Sequence, residues 1–379
     1  MQETEPATLI PSPKAQKLPD DLVSEAAFRW PGEPMASGGM ALIWKGDDKR
    51  LGREVILKTP RADDELAPNL RALFEQRVVA EAKILGKLQH PSIVTIYELG
   101  KSTVGWPFCV MEKVAGRSLR DRLDELAVEE AAAGKRNLRE RLELVSNLVA
   151  VLEAMAYAHE RRVVHRDITP NNILLGSRGE ATLIDWGIAR DLDAVGTEPV
   201  GLDMSPSTSG RWSTINAGTP PYVPFEQTQG LPAHPAYDVY SFGMTLYEVV
   251  AGRTPFEWRQ LDDSSARQKQ VTDFLDWLRD PPPIAPASPD DQELSGIIAK
   301  AIVRDQKERF TADDLLRALK QYLTGELVFS HRYSTSGKVV RWIRKHRAVT
   351  VSVMTVILAA IAGLIVWLQL SRQAREKAE

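Results

Sequence analysis

The chain from Phe28 to about Val114 alternates short apolar runs with one longer helical pattern. The short runs have the length of strands, whereas the longer one spaces its apolar positions as a helix does. The strand-like runs are ALIWKG, EVILKTP, SIVTIYELG and PFCVMEKV, and the helical pattern is LRALFEQRVVAEAKILGKL. This part of the sequence therefore predicts a small, mostly β lobe with a single helix.

After Gly116 the spacing of the apolar positions becomes helical. The run LRERLELVSNLVAVLEAMAYAHERR predicts a long amphipathic helix. Two short strand-like runs follow, NNILL and ATLID, and then a loop rich in Ser, Thr, Gly and Pro from Gly187 to Pro224. The closing helical patterns are YDVYSFGMTLYEVVAG, QVTDFLDWLRD, DQELSGIIAKAIVRD and TADDLLRALKQYL. We therefore expect a second, helical lobe, and a loop this long inside a compact domain is usually functional.

The segments outside these two lobes differ in composition from them. The first 30 residues are polar and proline-punctuated, so we expect no signal peptide there. The pattern predicts a disordered leader at 1–27, a two-lobed domain at 28–323 with lobes of about 28–114 and 115–323, a basic juxtamembrane linker at 324–347, a transmembrane helix at 348–370 and a short tail at 371–379.

The predicted transmembrane helix rests on an uncharged run from Ala348 to Leu368. About twenty such residues suffice to cross a bilayer as a helix. The preceding RWIRKHR is basic, and the positive-inside rule places that side in the cytoplasm. We expect a single-pass protein of the cell (inner) membrane, with a buried core helix as the alternative. Small residues that would allow two such helices to pack closely predict a homodimer; they are Ala359, Ala360, Ala362 and Gly363.

Charge and cysteine content narrow the class of protein. The formal net charge of −3 over 379 residues argues against a nucleic-acid binder, which would normally carry a basic surplus. The single cysteine, Cys109, cannot form an intrachain disulfide, and its apolar surroundings predict burial. The large domain therefore fits a reducing compartment.

Two stretches of the predicted β lobe suit the binding of phosphates. Lys58 ends an apolar strand, and Glu81 on the predicted helix could pair with it to form a clamp for nucleotide phosphates. The alternative is a solvated lysine at a strand end. In ASGGMALIWKG, Gly38 and Gly39 would let backbone N–H groups approach phosphate oxygens, although a plain hairpin turn is the alternative.

The stretch HRDITPNN, together with LIDWG, gathers the groups that phosphoryl transfer requires. Asp167 could accept a proton from an attacking hydroxyl or orient it. Asn172 and Asp185 offer oxygen atoms, which Mg²⁺ prefers as ligands. An isolated Asp and Asn would indicate only turn chemistry, but the combination suits a phosphoryl-transfer site.

Taken in order, the motifs resemble those of the eukaryotic-like (Hanks-type) serine/threonine protein kinases of bacteria, over roughly residues 30–322. The motifs are EVILK, VMEKVAG, HRDITPNN, DWG, GTPPYVPFE, DVYSFG and KERF. The resemblance implies an α+β, bilobal fold with a β-rich N-lobe and a helical C-lobe. It also implies transfer of the ATP γ-phosphate, with Mg²⁺ or Mn²⁺, to hydroxyls of protein substrates.

The resemblance further implies roles for individual residues. It implies catalytic roles for Asp167 and Lys58, with Thr169 at the position of a catalytic lysine, and metal binding by Asn172 and Asp185. The implied ATP-binding positions are Ala36, Gly38, Gly39, Ile43, Lys58, Glu81, Met111, Glu112, Val114, Asn172 and Asp185. The implied structural positions are His165, Gly187, Glu226, Asp238 and Arg309. The implied regulatory positions are Arg166, Thr219 and the loop hydroxyls Ser205, Ser207, Thr208, Ser209, Ser213 and Thr214, of which Ser213 and Thr214 lie closest to the expected place.

The chain departs from the family's pattern in several places. Ala36 and Ala41 replace usual glycines, and we expect weaker ATP binding because alanine tolerates positive φ less well. Thr169 replaces the lysine, whose loss could cost several kcal/mol of transition-state stabilisation. Trp186 replaces phenylalanine in DWG, and PFE replaces APE.

The residues that the chemistry most needs are nevertheless all present: Lys58, Glu81, Asp167, Asn172 and Asp185. We therefore expect an active serine/threonine kinase that phosphorylates its own activation loop. One alternative is a pseudokinase that serves as a nucleotide-binding or scaffolding module. Another is a kinase-fold enzyme for small molecules, which GTPPY and DVYSFG disfavour because they resemble the peptide-docking lobe of protein kinases.

Overall fold

The computed structural model describes residues 23–30, 33–37, 41–61, 68–103, 105–194, 218–259, 261, 263–330 and 347–376. The chain forms two compact units, residues 1–317 and 318–379. The β-rich lobe and most of the helical lobe that the sequence predicts belong to the first unit.

The N-terminal lobe is one curled sheet of seven strands. Its strands are β1 (Val23–Ser24), β2 (Phe28–Arg29), β3 (Ala36–Ser37), β4 (Ala41–Asp48), β5 (Arg53–Pro60), β6 (Ile96–Lys101) and β7 (Pro107–Glu112). The pairing order is β1-β6-β7-β5-β4-β2, with β3 also paired to β4. All pairs are antiparallel except that of β1 with β6, which is parallel.

The sheet curls because β1 and β2, which are adjacent in the chain, lie at opposite ends of the strand order. Ser24 pairs with Lys101 at one end of the strand order, and Phe28 pairs with Asp48 at the other. Only a 3₁₀ turn, Glu25–Ala27, separates these two strands in the chain, so the ends of the sheet must approach each other. Residues 23–27, which the sequence pattern assigned to the leader, are therefore part of the sheet and its connection.

The interior of the curled sheet is apolar. Val55, Leu57 and Phe108 are fully buried there, and the rings of Phe28 and Phe108 meet edge to face with centroids 5.8 Å apart. Gly46 lies against this interior, because an added Cβ would come within 2.3 Å of Leu57 Cδ1. Burial of the alternate side chains on β5 is what the strand pattern predicts.

The predicted single helix of this lobe is α1 (Pro68–Lys87). Its side chains Phe74, Val78 and Leu85 are buried, as expected for a helix covering a sheet. The strand predicted to begin at Ser92 starts only at Ile96. The preceding residues instead bond to the other lobe, where Val94 N donates to Leu183 O at 3.2 Å and Leu183 N donates to Ser92 O at 2.8 Å.

The C-terminal lobe is built around a buried helix. Its helices are α2 (Leu119–Ala133), α3 (Leu138–Glu160), α4 (Phe225–Thr228), α5 (Ala236–Ala251), α6 (Ser264–Arg279), α7 (Gln292–Ala301) and α8 (Ala312–Leu323), and its strands are β8 (Arg117–Ser118), β9 (Val163–Val164), β10 (Ile173–Leu175), β11 (Ala181–Leu183) and β12 (Arg190–Asp191). Residues 236–250 of α5 are all buried, as for a helix inside a protein core.

Local sequence explains how α2 and α3 begin. The Ser118 hydroxyl accepts from Asp121 N, and the Asp121 carboxylate accepts from Ser118 N, which forms a capping box at α2. The Asn137 side chain accepts from Glu140 N at the start of α3. Helix α2 contacts β8 and β10, and α3 contacts β11, in a small sheet with the strand order β11-β10-β8.

The second unit contains helix α9 (Arg347–Glu376), which covers the predicted helical segment 348–370 and continues past it. Among the described residues, no helix combines the length and the apolar character that a membrane span requires.

Candidate active site

A buried lysine joins the two lobes at the centre of the site. Lys58 Nζ on β5 lies 2.7 Å from Glu81 Oε2 on α1 and 2.7 Å from Asp185 Oδ1, which follows β11. Both Lys58 and Glu81 are buried. The structure thus brings together the predicted clamp and one predicted metal ligand, although 127 residues separate Lys58 from Asp185.

The Lys58 cation is stabilised by both carboxylates, although burial, together with the nearby Asp185 carboxylate, raises the pKa of Glu81 above its ordinary value. Burial disfavours the charged amine, but Asp185 and Glu81 outweigh burial and raise the pKa of Lys58 above its ordinary value. The Lys58 cation in turn lowers the pKa of Asp185 below its ordinary value. At neutral pH the site therefore holds a cation and an ionised carboxylate, both of which suit the binding of a metal-complexed phosphate.

The motif DWG holds Asp185 in an unusual conformation. Asp185 has a φ of 59°, in the left-handed region, and its Oδ1 accepts from Gly187 N at 3.3 Å. An added Cβ at Gly187 would lie 3.1 Å from that oxygen and 3.4 Å from Lys58 Nζ. Trp186 is buried, and its ring meets that of His165 edge to face at 4.5 Å. The larger tryptophan is thus accommodated without displacing the carboxylate.

Asp167 and Asn172 face each other within one loop. Asn172 Nδ2 donates to Asp167 Oδ2 and to the Asp167 carbonyl, both at 2.9 Å. Because these bonds use the amide nitrogen, the Asn172 side-chain oxygen is the atom suited to a cation. The Ile184 N–H donates to the Asn172 carbonyl at 2.8 Å, which keeps Asn172 next to Asp185.

Burial gives Asp167 the properties of a base near neutral pH. It raises the pKa of Asp167 to about 6, although hydrogen bonds from Thr219 and Asn172 act in the opposite direction. A general base works best when its pKa lies near the operating pH. Thr219, to which the resemblance assigned a regulatory role, therefore lies directly against the predicted base.

His165 and Asp238 fix the shape of the loop that carries Asp167. His165 Nδ1 accepts from Asp167 N at 3.2 Å, so Nε2 carries the proton and donates to Ile184 O at 3.2 Å. Burial lowers the pKa of His165, which keeps the ring neutral. Asp238 Oδ2 accepts from His165 N at 2.8 Å, and Oδ1 accepts from Arg166 N at 2.6 Å.

An ion pair fixes the start of α4, directly after the loop. Arg309 Nη1 lies 2.6 Å from Glu226 Oε1, and both side chains are buried. Next to Glu226, Gln227 Nε2 donates to the Arg166 carbonyl at 2.9 Å. The structure thus pairs Glu226 and Arg309, two residues to which the resemblance assigned structural roles.

A cavity of about 260 Å³ lies between the lobes at this cluster. Its wall includes Ile43, Lys58, Glu81, Asp167, Asp185 and Thr219. Thr169 lies outside this wall and is 1% exposed. Its Oγ1 has no hydrogen-bond partner among the residues described. The structure thus does not bring Thr169 to the cavity.

The remaining predicted nucleotide-binding positions lie on the sheet. Ala36 on β3 pairs with Ile43 on β4. Met111 and Glu112 end β7 beside β5, and Val114 follows them, half-buried. Gly38, Gly39, Ser213 and Thr214 lie outside the residues described, as do the other loop hydroxyls.

Sequence reasoning missed three contacts that support the site. His159 Nε2 lies 2.8 Å from Asp238 Oδ2, and Gln227 bonds to the loop as described above. Tyr222 bonds to Glu248 and Arg120. Of His159, Gln227 and Tyr222, only Tyr222 lies within a motif quoted from the sequence, GTPPY.

The donor set suits a metal-complexed nucleotide better than a resident metal. In the described part of the chain, no cluster of three or more His, Cys, Asp or Glu side chains could hold a metal ion. Asp185 and Asn172 supply two oxygen ligands, and Mg²⁺ is commonly bound by one or two carboxylates together with substrate phosphates. These residues therefore fit Mg²⁺ that arrives with ATP.

Comparison with known proteins gives a consistent result. Residues 32–319 match the protein kinase domain. The chain is 34% identical over 293 residues to a probable serine/threonine-protein kinase of Streptomyces coelicolor, covering 76% of this chain and 38% of that protein. It is 32% identical over 256 residues to serine/threonine-protein kinase PknA of Mycobacterium tuberculosis, covering 66% and 51%. For probable serine/threonine-protein kinase PknB of Corynebacterium glutamicum the identity is 34% over 227 residues, covering 59% and 31%.

The chain therefore spans between 31% and 51% of the length of these three relatives.

Proposed function

The chain belongs to the protein kinase domain family, and we propose that it is a serine/threonine protein kinase that transfers the γ-phosphate of ATP to protein hydroxyls. The observation that carries the proposal is the position of Lys58 Nζ, 2.7 Å from both Glu81 and Asp185. Protein kinases require the Lys–Glu pair and the metal-binding aspartate to be in place together. The site meets both requirements.

Each residue then has a defined task in the reaction. Asn172 and Asp185 would hold Mg²⁺ or Mn²⁺, which neutralises phosphate charge when bound. Lys58, oriented by Glu81, presents its ammonium group to the nucleotide phosphates. Asp167 orients the acceptor hydroxyl and accepts its proton as the new O–P bond forms, while the bond between the γ-phosphorus and the bridging oxygen of ATP breaks and ADP leaves. Thr219 and Asn172 hold the Asp167 carboxylate in position for this transfer.

We include autophosphorylation of the loop that precedes Gly218 in the proposal. Arg166 supports it, because a guanidinium pairs well with a phosphate and the Arg166 backbone is fixed by Asp238 and Gln227. Ser213 and Thr214 are the proposed acceptors. Phosphate placed there would order the segment through its charge.

Membrane attachment is a further part of the proposal and rests on the C-terminal sequence. Residues 348–368 carry no charged side chain and follow a basic segment. Large apolar side chains of α9 such as Val356, Leu358 and Trp367 are exposed within their unit. The proposal is a single-pass helix of the cell membrane with a cytoplasmic kinase domain. Because no helix among the described residues is long and apolar enough to cross a membrane, this proposal rests on the sequence. Paired helices would give a homodimer.

Fractionation tests membrane attachment. The full chain should sediment with membranes and be released by detergent, whereas a variant with Val356→Arg, Leu358→Arg and Ile361→Arg should not sediment. A full chain that stays in the supernatant without detergent would overturn this part of the proposal. Crosslinking in detergent would test the homodimer separately.

A pseudokinase is the second candidate, and the position of Thr169 favours it. The family's lysine position is filled by a buried threonine that lies outside the cavity wall. In this case the chain would bind nucleotide without transferring phosphate.

Mass spectrometry of the full chain incubated with Mg-ATP separates the two candidates. The kinase proposal expects phosphate on Ser213, Thr214 or neighbouring hydroxyls of the wild type and none on an Asp167→Asn variant that still binds ATP. Absence of phosphate on both proteins, with ATP binding demonstrated, would favour the pseudokinase.

A further inference from the structure

The turn Thr219–Tyr222 belongs to the GTPPY motif, which resembles part of the peptide-docking lobe of protein kinases, and we call it the docking turn. A carboxylate beside this turn is already bound by one of the protein's own arginines. Glu248 lies on the buried helix α5, and both of its carboxylate oxygens lie 2.8 Å from Arg120 Nη2 in the first turn of α2. The Tyr222 hydroxyl donates to Glu248 Oε2 at 2.5 Å and accepts from Arg120 Nη2 at 2.7 Å. The three side chains therefore form one closed network.

This network lies at one end of a turn whose other end contacts the base. Tyr222 N donates to the Thr219 carbonyl at 2.9 Å, which closes the turn. Thr219 in turn hydrogen-bonds to the Asp167 carboxylate. An acceptor segment whose hydroxyl reaches Asp167 can therefore extend along this turn toward Tyr222. Because an extended chain advances about 3.3–3.6 Å per residue, only side chains a few residues from the acceptor can reach the network.

Within the network, Arg120 is the group that a peptide would meet first. Its side chain is 27% exposed, compared with 10% for Glu248, and Tyr222 is buried. Arg120 Nη1 also donates to Asp124 Oδ1 at 3.3 Å, so two carboxylates face the guanidinium. A carboxylate that already has a cation beside it offers little net attraction to a second cation.

We propose that Arg120 determines substrate specificity: it occupies Glu248 and so prevents the enzyme from selecting acceptor segments that carry an arginine near the phosphorylated hydroxyl. The inference rests on the proposed kinase activity. Without Arg120, Glu248 would keep the hydrogen bond from the Tyr222 hydroxyl but would have no cation beside the docking turn. A guanidinium supplied by the acceptor peptide would then be its best partner, since Arg binds carboxylates with two parallel hydrogen bonds.

The test compares peptides on four proteins, all as the full chain. The proteins are wild type, Arg120→Ala, the double variant Arg120→Ala with Glu248→Gln, and Arg139→Ala. Arg139 is a matched control because its side chain is 90% exposed on the neighbouring helix α3 and pairs only with Glu143 among the described residues. The peptides share one serine in a neutral sequence, and a single arginine is moved through each nearby position on both sides.

The expected result is a change in peptide preference, measured as the ratio of kcat/KM with and without the arginine. Wild type and Arg139→Ala should give ratios near one at every position. Arg120→Ala should prefer arginine at one or two positions by about tenfold, mainly through KM. The double variant should lose this preference, because the carboxylate charge is gone.

A binding measurement keeps the two proposals separate. The arginine peptide should raise the Tm of Arg120→Ala more than the neutral peptide does, whereas the two peptides should shift the Tm of wild type equally. If Arg120→Ala phosphorylates peptides without any arginine preference, the specificity proposal is overturned and the kinase activity stands. If no protein phosphorylates any peptide, the kinase proposal fails, and the Tm shift still decides whether Glu248 accepts a guanidinium. Arg120→Met, which keeps the aliphatic stem, replaces Arg120→Ala if the alanine variant does not fold.

Discussion

Lys58 Nζ lies 2.7 Å from Asp185 Oδ1, so the proposed phosphate-binding cation and the proposed metal ligand contact each other across the two lobes. Glu81 completes the cluster from α1. Lys58 and Glu81 are buried, whereas the Asp185 side chain is 51% exposed, so removal of the cation would leave above all the buried Glu81 carboxylate uncompensated. The site is thus held together by the same charges that its chemistry would use.

Replacement of Lys58 by methionine should therefore affect both stability and activity. Phosphate transfer should fall by about 10²–10³, since a group aimed at developing charge is lost. The free energy of unfolding should fall by about 3–5 kcal/mol, because Glu81 and Asp185 remain without their cation. Denaturant unfolding and a phosphorylation assay measure the two effects.

The matched control is Lys45→Met, on the neighbouring strand β4. Its side chain is 48% exposed and pairs with the exposed Glu54, so its loss should leave the free energy of unfolding nearly unchanged. Equal effects of the two variants would contradict the role assigned to Lys58.

The pH dependence of the reaction should report Asp167. Because the carboxylate must be ionised to accept a proton, kcat/KM should fall about tenfold per pH unit below the Asp167 pKa of about 6 and level off above it. Thr219→Val removes a hydrogen bond that lowers this pKa, so the midpoint should move to higher pH. A midpoint that stays in place would show that another group controls the profile.

The buried pair Glu226–Arg309 should be a major contributor to stability. Arg309→Met removes the nearer cation from the buried Glu226 carboxylate and leaves only Arg304, whose Nη1 lies 3.7 Å away, so it should cost about 3 kcal/mol, the lower end for a broken buried pair. Arg279→Met, which breaks an exposed pair with Asp276, should cost less than about 0.5 kcal/mol. Combining Arg309→Met with Glu226→Gln should recover part of the loss, and additive losses would argue against direct coupling.

Thr169→Val tests whether the threonine hydroxyl takes part in transfer. The hydroxyl is buried and has no partner among the described residues, so its removal should leave kcat unchanged. Stability should rise by about 1 kcal/mol, because an unsatisfied buried polar group is removed. A large fall in kcat would instead restore a catalytic role to Thr169.

The site residues that could be predicted lie on, or directly after, helices and strands with a clear hydrophobic pattern. Lys58 ends a strand, Glu81 lies on the only predicted helix of its lobe, and Asp185 follows a short strand. Their spacing along the chain and the resemblance of the motifs were sufficient to group them. The structure adds the distances, and it shows that Asp185, rather than Glu81 alone, binds the lysine.

The parts that could not be predicted depend on contacts between distant residues. Arg120 and Glu248 are 128 residues apart, and neither belongs to a pattern that would connect them. The pairing of Ser24 with Lys101 likewise has no local signal, since two residues are too few for a strand pattern. Similarly, sequence position aligned Thr169 with a catalytic lysine, but packing decided where its side chain lies.

The bonds to Asp238 have a consequence for how the site moves. The amide hydrogens of His165 and Arg166 are both bound to this carboxylate, which belongs to the most deeply buried helix of the domain. They can exchange with deuterium only when their bonds to Asp238 break, so their exchange should be among the slowest outside the helices and strands of the lobe. Isotope exchange followed by mass spectrometry should then show a catalytic loop as rigid as the core of its lobe.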